Sequence, residues 1–253
     1  MDKPVQKSPK IIAFVQARMG SQRLPGKVLK NLCGKPMIYW TLKRLSKSNL
    51  ISEVVLATSQ NPENDSLEHA VRELGFSVYR GDENDVLDRY FRAALAFKAD
   101  VVVRITGDCP LISHKEVDRV IQGLLEKQAD YASNVMERTL PRGFDAEAFT
   151  FKTLEIMHRQ AHSPSAREHV TTYIRQERPE LFNIYSVLTP FQHSQYELSV
   201  DVQEDFELVE RIFSQFPSPI EISLEDTIAF LEKNPDCAGQ NMNVVRKNFK
   251  SSI

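Results

Sequence analysis

Short apolar runs alternate along this chain with longer stretches whose apolar positions recur at helical spacing. Ile11–Ala17, Glu53–Thr58, Ser77–Arg80 and Asp100–Thr106 read as strands. Pro36–Ser46, Pro62–Leu74, Asn84–Lys98 and a segment from about His114 to Lys127 read as helices. In Asn84–Lys98, for example, Val86, Leu87, Tyr90, Phe91, Ala94 and Leu95 recur at helical spacing. Pro36 suits a first helical turn, where its missing N–H costs little, and Asn61 is placed to cap the helix after it. Strands that are continuously apolar, separated by helices, predict an α/β fold: a mostly parallel central sheet with helices on both faces.

The pattern loosens after Ser133. Phe144–Thr150 and Ile184–Leu188 read as strands and Phe151–Gln160 as a helix, in an excursion of 134–198 too small for a large core of its own. Tyr196–Val200 then reads as a strand feeding a helix that carries Phe206, Leu208, Val209, Ile212 and Phe213. The tail beyond Asn234 is polar and expected to be loosely held. The expected organisation is a single domain over 10–253, with a core at 10–133, the excursion at 134–198 and a return to the core at 199–233.

Composition narrows the function classes. With 253 residues, 42% hydrophobic and 26% charged, the chain can bury a sizeable core. A net charge of −2 gives no global pull toward nucleic acid or anionic membrane, so any basic site must be local. Cys33, Cys109 and Cys237 form neither a CxxC pair nor an even set, which argues against structural zinc and a disulfide framework. With a polar N-terminus and no membrane-length apolar stretch, a cytoplasmic protein is expected.

Ligands of parallel sheets bind at the carboxyl ends of the strands. The first such end carries ARMGSQRLPGK, residues 17–27, which is nearly a P-loop. It fails as one: five residues separate Gly20 from Gly26 where the pattern has four, Val28 stands where a hydroxyl belongs, and Pro25 lacks an N–H. The loop still brings Arg18, Arg23 and Lys27 to a strand end, with donors from Gly20 and Ser21, and that suits a polyphosphate. A solvated basic loop is the plain alternative, and the place behind the first strand argues against it. Asp108 and Asp201 each follow a strand directly, and magnesium is held by one or two carboxylates plus the substrate's phosphates. Together these residues suggest a magnesium–nucleoside triphosphate site. His158 and His162, four apart on an expected helix, and His169 lack the HExxH pattern and are read as structural. Cys109 is read as packing.

QARMGSQRLPGKVL with GKPMI, RGDENDVLDRY, VRITGDCPLI, PRGFDAEAF, REHVT and SVDVQEDFELV fall in the order and spacing of the cytidylyltransferase family. The sequence resembles its spore-coat polysaccharide biosynthesis branch and, more distantly, the synthetases of CMP-Kdo and CMP-sialic acids. The resemblance covers about residues 10–215. It implies a nucleotidyltransferase fold (GT-A-like, Rossmann-like), CTP and Mg²⁺ as substrate and cofactor, and transfer of CMP to a sugar acid hydroxyl with release of pyrophosphate. It also implies that 134–198 serves sugar binding and dimerisation, so a homodimer is expected.

Carried over by position, Arg18, Ser21, Arg23 and Lys27, with Ala17 and Gly20, would bind the triphosphate. Asp108 and Asp201 would hold magnesium. Arg80, Asp85, Asp88 and Arg89 would lie near base and ribose, and Asp145 and Glu147 would face the acceptor. REHVT matches the family without a role. The chain departs from the Kdo and sialic-acid enzymes at Gln16, where they have proline, and at Thr106–Pro110, where the Kdo enzymes have QGDEP. A glycosyltransferase would need an Asp-x-Asp motif, which is absent, and an oxidoreductase a GxGxxG after a strand, also absent. A non-catalytic nucleotide-binding module would bind CTP but release no pyrophosphate.

Overall fold

The computed structural model describes residues 8–190, 192–242 and 244. Its strands are β1 (Ile11–Gln16), β2 (Asn31–Leu32), β3 (Lys35–Pro36), β4 (Glu53–Ser59), β5 (Ser77–Gly81), β6 (Val101–Thr106), β7 (Tyr131–Ser133), β8 (Glu147–Thr150) and β9 (Ile184–Ser186). Its helices are α1 (Met37–Leu45), α2 (Asp65–Glu73), α3 (Val86–Phe97), α4 (His114–Glu126), α5 (Phe151–Gln160), α6 (Pro164–His169), α7 (Gln203–Ser214), α8 (Leu224–Lys233) and α9 (Pro235–Gly239).

One seven-stranded sheet runs in the order β5-β4-β1-β6-β8-β7-β9, and β2 with β3 forms a small hairpin. The pairings β4–β5, β1–β4, β1–β6 and β7–β9 are parallel, whereas β8 runs antiparallel between β6 and β7. The mostly parallel sheet expected from the apolar runs is therefore present. Side chains alternate across a strand, so β1 feeds two cores. Ile11, Ala13 and Val15 face the layer of α1, α2, α4, α7 and α8. Ile12 and Phe14 face α3, α5 and α6 on the other side.

Arg44, only 3% exposed, ties α1 to two loops. Its guanidinium donates to the carbonyls of Leu111, Ile112, Pro219, Ile220 and Ile222 at 2.6–3.2 Å. Burial without a contacting carboxylate pushes its pKa down to about 10, with Glu221 opposing.

Several local expectations are corrected. Asn61 makes no side-chain cap; a 3₁₀ turn over Pro62–Asn64 precedes α2, and the Asn64 amide is spent elsewhere. The strand expected from Phe144 begins only at Glu147, because Gly143 turns the chain at φ +102° against the Leu198 backbone. Tyr196–Val200 forms no strand; Glu197 makes a single bridge to Arg142, and Val200 N–H donates to the Asp108 carbonyl at 2.8 Å. His162 lies beyond the end of α5, which stops at Gln160 before Ser163 caps α6. The tail folds over 235–239 as α9 and packs Cys237 and Ala238 on the core; 243 and 245–253 lie outside the described residues.

Candidate active site

The carboxyl ends of β1, β5 and β6 open into a cavity of about 930 Å³. Its floor is the 17–27 loop, which is built by the chain's own backbone. Ser21 N–H and Gly26 N–H both donate to the Met19 carbonyl, at 2.8 and 3.3 Å. Gly26 sits at φ +65°, a left-handed conformation that glycine adopts without strain, and it hands the chain to the 3₁₀ turn Lys27–Leu29. Asn64 holds the loop from outside: its Oδ1 accepts from Met19 N–H at 2.8 Å and its Nδ2 donates to Ser59 Oγ at 2.8 Å. Gly107 lets the β6 end close on β1, since a Cβ there would lie 2.7 Å from Ala17 Cβ and 3.2 Å from the Gln16 carbonyl.

Charge converges at the foot of the cavity. Lys27 Nζ donates to Asp201 Oδ1 at 2.9 Å, to Asp108 Oδ2 at 3.3 Å and to the Val200 carbonyl at 2.6 Å. Arg23 pairs with the other Asp201 oxygen at 2.9 Å. Burial disfavours the Lys27 ammonium, but Asp108 and Asp201 outweigh it and hold its pKa above the ordinary lysine value. Burial likewise disfavours the Asp108 carboxylate, and Lys27 with the Thr106 hydroxyl reverses the balance and holds its pKa low. Lys27 and Asp108 are thus both charged at neutral pH. Burial, followed by the Asp108 charge, pushes the Cys109 thiol up, so it is no nucleophile and stays a packing residue.

Ala17, Arg18, Gly20, Ser21, Arg23, Lys27, Asp85, Arg89, Asp108 and Asp201 all line the cavity. Arg18 pairs with Glu83 and Asp85 with Arg167. Arg89, 2% exposed, donates to the Asp82 carbonyl at 2.8 Å. Four assigned residues are not on the wall. Arg80 points to α2, where Asp65 and Glu68 take its guanidinium at 2.6 and 2.8 Å. Asp88 is held by Arg92 and by His158, which stacks on Phe91. Asp145 pairs with Arg138. Glu147, 3% exposed, is locked inside the protein by Arg104, Tyr131 and Thr171.

Other wall and support residues carried no sequence signal of their own. Glu83 lies in the RGDENDVLDRY motif without a role of its own, and Asn64 lies in the helix expected over Pro62–Leu74. Arg167, Glu168 and His169 line the cavity, and REHVT was their one trace. Asp205, fully buried, accepts from the N–H groups of Asp201 and Val202 at 2.9 and 3.1 Å; Asn241 donates to its second oxygen at 2.7 Å. A buried carboxylate thereby fixes the turn that presents Asp201. Among the described residues no three His, Cys, Asp or Glu side chains converge as a metal cluster, and none of the helices is long and apolar enough to cross a membrane.

A doubly covered, mostly parallel sheet, with cations and Asp108 behind its strand ends and Asp201 on the adjoining loop, is a nucleotidyltransferase-type fold. The family model described as Cytidylyltransferase matches residues 12–250, and the chain belongs to that family. It is 34% identical over 236 residues to the spore coat polysaccharide biosynthesis protein SpsF of Bacillus subtilis, covering 90% of this chain and 96% of that one. It is 39% identical over 115 residues to the 3-deoxy-manno-octulosonate cytidylyltransferase of Bdellovibrio bacteriovorus, covering 45% of each. The structure of a cytidylyltransferase from Leptospira borgpetersenii superposes with a TM-score of 0.88 at 35% identity, over 94% of this chain and 100% of that one. Family membership supports CTP-using cytidylyl transfer.

Proposed function

We propose that this chain transfers CMP from CTP to a hydroxyl of a sugar acid, releasing pyrophosphate, in the making of a surface polysaccharide. The observation that carries the reading is the contact of Lys27 Nζ with both Asp108 and Asp201 beneath a loop that also bears Arg18 and Arg23. The acceptor oxygen attacks the α-phosphorus in line, the bond to the β-phosphate oxygen breaks, and the hydroxyl proton passes to water. Arg18, Arg23 and Lys27 neutralise the departing pyrophosphate, with Gly20 and Ser21 offering further donors. Such catalysis is positioning plus electrostatics.

The residues present fit a divalent cation. Two carboxylates already converge on one positive centre, and magnesium takes a few hard carboxylate oxygens and completes its shell from phosphates. Asp108 and Asp201 would hold Mg²⁺, which when bound neutralises charge on the phosphate oxygens. The family resemblance supports the sugar-acid acceptor and a homodimer, and the odd, scattered cysteines support a cytoplasmic setting. The test is pyrophosphate release with four nucleoside triphosphates against a panel of sugar acids, with light scattering for the dimer. CTP with at least one sugar acid is expected to respond; a response to UTP or GTP but not CTP would overturn the assignment.

A further inference from the structure

Glu147 was expected at the acceptor and lies instead behind the cavity wall, where its surroundings are costly. Its Oε2 takes Arg104, while its Oε1 accepts from Tyr131 Oη at 2.5 Å and Thr171 Oγ1 at 2.7 Å, with Arg175 Nη1 at 3.6 Å. The Nε atoms of Arg104 and Arg175 are buried without a partner, so the cluster is retained although its hydrogen bonding is incomplete. Burial opposes the Glu147 charge, and the two arginines reverse this and hold its pKa low.

Thr171 follows directly on a strained residue. Val170 has φ +57° and ψ −62°, and Thr171 N–H donates to the His169 carbonyl at 2.5 Å, which makes Val170 the centre of a γ-turn. A β-branched residue persists there only if its surroundings over-determine it. They do so from two sides: the Val170 side chain is fully buried among the apolar residues of the second core, and the Thr171 hydroxyl is anchored on Glu147. The three residues just before the turn, Arg167, Glu168 and His169, line the cavity, and Arg167 pairs there with Asp85. On the opposite side of the cluster, Arg104 Nη2 donates to Oε1 of the wall residue Gln16 at 3.4 Å.

We propose that Glu147 is a positioning residue: through the Thr171 hydroxyl it holds the strained Val170 turn and so sets Arg167–His169 on the cavity wall. The kinetic part of the test rests on the cytidylyl-transfer reading; the exchange part does not. Thr171→Val keeps the shape and removes the hydroxyl, Thr171→Ser restores it, and Tyr131→Phe removes the other hydroxyl from the same carboxylate oxygen, from β7 rather than from the residue that follows Val170.

Amide hydrogen exchange at 167–170 is expected to speed up in Thr171→Val and to stay at the wild-type rate in Thr171→Ser and Tyr131→Phe. The KM of one substrate is expected to rise on the order of tenfold or more in Thr171→Val with kcat little changed, as for a displaced binding group, and to return in Thr171→Ser. If Thr171→Val does not fold, Thr171→Ala takes its place with the same expectations. Wild-type exchange in the variant, faster exchange with an unchanged KM, or equal effects from Tyr131→Phe would each overturn the proposal. A wild type inactive with CTP and every sugar acid would overturn the function instead, leaving exchange to decide whether Thr171 holds the turn.

Discussion

Lys27→Met separates the two jobs that the geometry assigns to one ammonium. Methionine keeps an apolar stem of similar length, so the change removes charge and little packing. In the free protein that charge lies 2.9 and 3.3 Å from two carboxylates, and the side chain is 11% exposed. At an effective dielectric of about 20, each contact amounts to roughly 4–6 kcal/mol before screening. Asp108 and Asp201 are 27% and 28% exposed, so water recovers much of this, and the expected loss of stability is about 2–3 kcal/mol. In turnover, the loss of one charge contact to the leaving pyrophosphate is expected to lower kcat by about 10²–10³, or roughly 3–4 kcal/mol. The metal responds in the opposite direction. Two carboxylates without their internal cation should bind Mn²⁺ more tightly in the absence of nucleotide, on the order of tenfold, or about 1.4 kcal/mol. Electron paramagnetic resonance titration reads the free Mn²⁺, and pyrophosphate release reads turnover. A variant that binds Mn²⁺ no tighter and turns over like the wild type would refute both the shared site and the role of Lys27.

Arg44→Met leaves five backbone carbonyls without their donor and is expected to lower stability by about 3–5 kcal/mol, a drop in Tm of roughly 6–20 °C, with kcat unchanged where the protein is folded; calorimetry and turnover at low temperature check it. Asp108 has a folded pKa below its unfolded value, so its contribution to stability is present above that unfolded value and lost as pH falls through the folded one. The Tm advantage of wild type over Asp108→Asn should therefore shrink on acidification from about pH 5 to about pH 3. An advantage constant with pH would show that Asp108 is not held ionised by Lys27.

The strands most legible in the sequence were those apolar on both faces, β1, β4 and β6, whose runs can only be buried; β5, at the sheet edge, buries only Val78 and Gly81. The segments misread were decided by contacts from far along the chain. Tyr196–Val200 has strand-like alternation, but its N–H groups go to a Glu197 side chain and to the Arg142 and Asp108 carbonyls rather than to a ladder. Asn61 reads as a cap from its neighbours, but its Nδ2 donates at 3.0 Å to Glu83 Oε2, 22 residues later in the sequence. The rule that ligands meet the carboxyl ends of parallel strands puts the cations of the 17–27 loop and Asp108 on the cavity, whereas Asp201 reaches it without the expected strand, on a loop whose Val200 N–H donates to the Asp108 carbonyl.

That rule names a rim without saying which way each rim side chain points, and Arg80 and Glu147 show the difference. Arg80 lies in β5 paired with Thr58, and the alternation of the strand turns it onto α2 while its neighbour Gly81 packs against Arg89. Glu147 lies opposite Arg104 in the antiparallel β6–β8 pair, so the two charges meet across the strands within the protein. The sequence did hold a sign of this. Arg104 interrupts the buried run DVVVRIT, and a charge inside such a strand needs an internal partner of opposite sign. A glutamate in a following strand is the natural candidate for that partner. Its burial is then dictated by the arginine, and the part of the REHVT segment that reaches the cavity is held in place by the same pair through Thr171.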